Sequence, residues 1–361
     1  MRRLALASLL LLGCFDWDVL SSTLSEPDLS VLDDLSGPQD LALADLSKTD
    51  QLMPDLRMPD LLPPPDLLPP PTPFAKQADA AGLAGKRANN ALFGWNATNV
   101  TAVGDAGVIV ATTNGTNWSV VTLGVDPGQN LNDVWFKDAS TGWLVGNGPT
   151  AYVWNGTTWA PAPSAMALTN DLLGVFGSAG NKVVAAGTAD AIFRFDGATW
   201  SRSAVAPKPG TEYGVWGTGS SFVSVGASND CITITDTTQT KVSCAQAGGA
   251  VLRAAWGVSA NNIVAVGYDG NTSIASKFDG ANWTKLGTIP NVGKLYSVWA
   301  SSATDFWAVG EGGVVLRFDG TSWTRVNPVG IPATELLRDI WGADASNIWI
   351  LSSAGTIYKK G

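Results

Sequence analysis

No histidine occurs in the 361 residues. Its absence excludes a Ser-His-Asp or Cys-His nucleophilic system and any His-ligated zinc or copper centre. Cysteine is scarce, with three residues, too few for a thiolate cluster. A positive excess is also missing: the formal net charge is -9, and no basic patch argues for nucleic acid. After the first residues no apolar run reaches the eighteen or so residues of a membrane-spanning helix. Catalysis and recognition must therefore use carboxylates, hydroxyls, amides, arginines and aromatic rings.

The chain starts MRRLALASLLLLGC, two arginines ahead of an apolar run, Gly13 and Cys14. This reads as a secretory signal peptide over 1–13, and LLGC resembles the lipobox of bacterial lipoproteins. That resemblance implies a diacylated Cys14 at a new N-terminus, and an extracytoplasmic protein held at the outer membrane or cell surface by lipid alone. Between Phe15 and Pro73 the composition changes. Seven Asp-Leu pairs lead into MPDLLPPPDLLPPPTPF, and twelve carboxylates against Lys48 and Arg57 give this stretch a net -10. Residues 14–73 are expected to be a disordered, low-complexity tether, polyproline-like towards its end. From Phe74 onwards eighteen basic residues nearly balance nineteen acidic ones.

The remainder, 74–361, repeats. Phe93, Trp135, Phe176, Trp216, Trp256, Trp299 and Trp341 each follow a short apolar pair, at spacings of 42, 41, 40, 40, 43 and 42. A period of that length marks a repeat architecture. Each anchor opens four short runs rich in Val, Ile, Thr and aromatics, separated by Gly-containing, Asn-Gly or Asp-Gly turns, the pattern of four antiparallel strands. The expected fold is all-β, a seven-bladed β-propeller. The seventh repeat stops at GTIYKKG, one strand short. Phe74 stands where a fourth-strand aromatic belongs, so residues near 74–78 should pair with 355–359 and close the ring.

Ten tryptophans occupy two repeated positions, on the first and fourth strands, and Trp143, Trp307 and Trp349 share the second. Core packing is their expected role, with Trp95 and Trp154 the better candidates for exposure. DCITITDTTQTKVSCAQ lacks both the Asp-Gly turn and the fourth-strand tryptophan. Folded about Thr237 and Thr238 it sets Cys231 opposite Cys244, which an exported protein can join as a disulfide.

The motif VLRFDGTSWTRV and its repeats resemble the Asp-box, or BNR-type, propellers, and LNDVWFKDASTGWLVGNGPTAYVWNGTTW resembles the seven-bladed photosystem II assembly factors. In this chain Asp319 and Gly320 are adjacent and no Ser stands two places before the Asp, a departure from the Asp-box. A sialidase-like site would need three arginines, a Tyr activated by Glu and an Asp acid, and no motif links these types here. No catalytic residue is assigned, although two carboxylates meeting across the channel stay open as a route to catalysis. No cofactor is expected, while calcium, which takes oxygen ligands, stays admissible.

Strand order places the turns between second and third strands on one face with the blade-to-blade loops. Asp105, Asn147, Asp190, Asp230, Asp269 and Glu311 form the candidate binding ring there, opposite the face from which the tether leaves. The expected function is that of a monomeric, lipid-anchored binding or assembly module for an envelope protein. The alternative is a propeller that binds or cleaves polysaccharide.

Overall fold

A computed structural model describes residues 71–361, apart from 80, 81, 84, 123–127, 149, 163–169, 190, 204–209 and 247. Cys14 and Asp190 lie outside the described residues, as do the signal-peptide and tether positions 1–70. The strands form seven sheets, the blades; in six of them the first, second, third and fourth strands pair antiparallel in sequence order, and the seventh takes its outer strands from elsewhere in the chain. The first strands are Ala91–Asn96, Leu131–Asp138, Leu172–Ala179, Glu212–Thr218, Val251–Ser259, Leu295–Ser302 and Leu337–Asp344, in blades 1 to 7. Each carries one of the seven anchor aromatics.

The seventh blade is completed as the spacing predicts. Pro71–Ala78 pairs antiparallel with Ile357–Lys360, joining Phe74 to Lys360 and Lys76 to Tyr358, and Gly361 N donates to Pro73 O at 3.0 Å. Phe74 is 2% exposed. The strand begins three residues before the expected boundary, because Pro71–Pro73 also pairs in parallel with Asn327–Val329. Proline lacks an N–H, and Pro71 and Pro73 stand in the opening residues of the strand, ahead of its pairing with Ile357–Lys360. Pro71 and Gly361 both lie on the face of the third-to-fourth-strand turns.

Those turns explain the recurring Asp. The Asp319 carboxylate accepts the N–H groups of Thr321 and Ser322, both at 2.8 Å, and Gly320 takes φ 95°, where a side chain would be strained. Asp196 and Asp279 make the same bonds, and these backbone donors hold all three carboxyls below the usual range. The fourth-strand tryptophan then faces an aromatic across its own hairpin: Trp200 pairs with Phe195, Trp283 with Phe278 and Trp323 with Phe318, at ring separations of 5.2–5.4 Å. Trp200 also meets Trp143 of the preceding blade at 5.2 Å.

Blade 4 departs from this pattern, and its register differs from the expected one. The turn centres on Asp236 and Thr237, one residue earlier, so Cys231 opposes Val242 and Ile234 opposes Gln239. The reason is Thr235, whose hydroxyl accepts the Thr237 and Thr238 N–H groups and so takes the place of the turn aspartate. Cys244 lies just past the strand and still bonds Cys231, with Cα atoms 5.4 Å apart. The disulfide joins the third strand to the end of the fourth in the blade whose fourth strand carries no aromatic.

Neighbouring blades interlock through their anchors. A Cβ at Gly177 would overlap the Trp135 indole, and Gly257 and Gly342 receive Trp216 and Trp299 in the same way. Trp95 and Trp154 are half-buried; Trp95 packs on Phe136 at 4.9 Å, and Trp154 Nε1 donates to Ala139 O. No described tryptophan is exposed.

Candidate functional site

The first strands line the axial channel, so one column of the repeat decides its chemistry. Three residues before the anchors stand Asn90, Asn132, Leu173, Tyr213, Arg253, Tyr296 and Arg338, each near the start of its strand. They surround a cavity of about 310 Å³ that opens towards the second-to-third-strand turns. Below them Phe93, Phe176 and Trp256 meet across the axis with ring centroids 5.8–6.2 Å apart. The channel is thus a blind cup with an aromatic floor.

One wall is cationic and aromatic. The Arg253 guanidinium lies 4.0 Å from the Tyr213 centroid and 5.7 Å from that of Tyr296, and Arg338 lies 5.5 Å from Tyr296. Among the described residues neither arginine is in an ion pair, and Arg338 Nε is buried without a hydrogen-bond acceptor. Two guanidiniums flanking one ring repel each other, and a bound anion relieves that repulsion while accepting their N–H groups. Tyr296 donates to Glu311 Oε1 at 3.2 Å. Burial first, then the Glu311 charge, raises its pKa, so the phenol keeps its proton.

Two carboxylates sit lower in the cup. Asp133 accepts the N–H groups of Val134 and Val175, and Asp339 those of Leu92 and Ile340 together with the Ser297 hydroxyl at 2.6 Å. Each therefore clips its own first strand to that of the next blade. Both are half-buried among the first strands, and burial lifts Asp133 to about 8 and Asp339 to about 6.

The described members of the expected ring lie on the same face but are differently employed. Asp105 accepts from Asn89 and Asn90, Asn147 accepts from Asn132 at 2.7 Å, and Glu311 holds Tyr296. These three position cup-lining side chains. Asp230 pairs with Lys241 at 2.6 Å, and Asp230 and Asp269 stand at strand ends and not within the turns. Among the described residues no group of three or more Asp, Glu or Cys residues is arranged to hold a metal. Sequence reading passed over the column of Tyr213, Arg253, Tyr296 and Arg338, although the anchor alignment that counts the blades also puts these four in register.

The fold is similar to that of YCF48 bound to a D1 peptide, at 17% identity and TM-score 0.65 over 81% of this chain and 98% of that one. YCF48 from Cyanidioschyzon merolae matches at 15% and 0.64, over 80% and 98%. Virginiamycin B lyase from Staphylococcus aureus matches at 14% and 0.66, over 79% and 98%. At such identities the likeness is one of fold. No protein-family model and no curated protein matches the chain.

Proposed function

We propose that this chain is a binding propeller whose cup takes an anionic group of a partner protein, most simply an envelope protein, and that diacylated Cys14 anchors it outside the cytoplasm with no other membrane contact. The observation that carries this reading is the convergence of Arg253 and Arg338, free of ion pairs among the described residues, on Tyr213 and Tyr296 in a blind cavity. Pro71 on the opposite face supports it, since a tether leaving there would turn the cup away from the membrane. A propeller of like fold, YCF48, has been solved with a bound peptide. The chain acts as a monomer and binds no nucleic acid.

Affinity capture from envelope fractions with the full chain and with its R253Q/R338Q variant tests the cup. The expected result is a partner set held by the first and lost by the second; identical sets would remove the cup from the reading. For the anchor, an alkyne fatty acid should label the wild type and not C14S, and C14S should leave the membrane fraction.

The Tyr296–Glu311 hydrogen bond beside two arginines favours one second reading, an acidic polysaccharide held or cleaved in the cup. The raised pKa of Tyr296 makes it a hydrogen-bond donor and a poor nucleophile. No described tryptophan stands exposed on the surface, so no projecting indole is offered there for sugar stacking.

A further inference from the structure

We infer that the ligand of the cup is the free α-carboxylate of a polypeptide C-terminus whose last residue is apolar. This deepens the reading of the cup as the partner site and rests on it.

The closed floor is the first reason. Phe93, Phe176 and Trp256 block the axis, so no strand or glycan can thread through. A polymer must enter end-on or offer a side chain. At about 310 Å³ the cavity is at the small end of ligand pockets, roughly 300–1,000 Å³, which suits a terminal residue and not a longer segment.

Which polar groups remain uncommitted is the second reason. The Asn90 amide nitrogen donates to Asp105 and to Leu131 O, and that of Asn132 to Asn147 and Leu172 O. Asp133, Asp339, Ser297 and the Tyr296 hydroxyl are engaged within the protein. A sugar needs several partners for its hydroxyls, and the cup has few to give. It does offer two guanidinium forks, suited to one carboxylate. The Asn90 and Asn132 side-chain oxygens, which have no partner among the described residues, can accept a peptide N–H. Between these polar groups Leu173 and the aromatic floor supply the apolar part of the lining. One carboxylate, one amide and an apolar body describe a C-terminal residue.

The test displays N-terminally anchored hexapeptides with varied apolar last residues, each as free acid and as carboxamide, to the full chain, and measures the best pair by fluorescence anisotropy. Free acids should bind about ten- to a hundred-fold more tightly than their amides, the range for hydrogen bonds to a charged group. In R253Q/R338Q that ratio should collapse towards one with the thermal unfolding midpoint unchanged. Equal binding of acid and amide, binding of no peptide, or preference for an oligogalacturonate competitor each overturns the inference. If R253Q/R338Q still abolishes partner capture when acids and amides bind equally, the cup stands as the partner site and only the terminal carboxylate falls. Should capture be unaffected by R253Q/R338Q, both fall.

Discussion

The Arg253 guanidinium stands 4.0 Å from the centroid of the Tyr213 ring, across the seam between blades 4 and 5. The ring holds the cation in place by cation–π attraction without engaging its N–H donors, so the fork stays available. A structural arginine on this fold behaves otherwise. Arg194 gives Nη1 and Nη2 to the carbonyls of Asp236 and Thr238, tying blade 3 to blade 4.

Stability should fall as pH rises through the neutral range. Folded Asp133, at about 8, and Asp339, at about 6, hold protons that the unfolded chain releases near its ordinary carboxyl value. Between those limits the native state binds more protons, so the unfolding free energy declines with pH. With no histidine, no other side chain of ordinary pKa titrates there. Allowing for water in the cup, the loss between about pH 5 and about pH 8.5 is on the order of 1–3 kcal/mol. Urea unfolding of wild type and D133N across that window checks it; D133N should show a flatter profile.

Ring closure depends on Phe74. It is 2% exposed and occupies the fourth-strand aromatic position opposite Lys360. F74A should cost about 3–5 kcal/mol, as for other buried Phe-to-Ala changes, and should raise amide exchange first along Ile357–Lys360. Chemical denaturation and hydrogen exchange measure the two effects.

The bond between Cys231 and Cys244 closes a loop with a sequence separation of 13. Its removal in C231S/C244S should lower stability by about 3 kcal/mol. Non-reducing peptide mapping should recover the two cysteines as one linked pair.

Blade number, strand order and closure were legible because each rests on a period. Anchors recur at about forty residues, turn aspartates bond their own backbone, and a missing last strand leaves one aromatic, Phe74, at the right distance. The cup was less legible for two reasons. Tyr213, Arg253, Tyr296 and Arg338 differ in type, so no repeated letter announces them. The polar turn residues, easier to see, are partly taken up in holding Asn90, Asn132 and Tyr296 in place. The one-residue error in the blade 4 turn arose because a threonine hydroxyl can replace the turn carboxylate.

Which face meets the partner is the central claim, and photo-crosslinking in intact cells tests it most directly. A benzophenone amino acid replaces Leu173 in the cup wall in one strain and Ala281, in an exposed turn on the opposite face, in another. Adducts with a protein partner should form from position 173 and not from 281. Adducts from 281 alone would contradict the account.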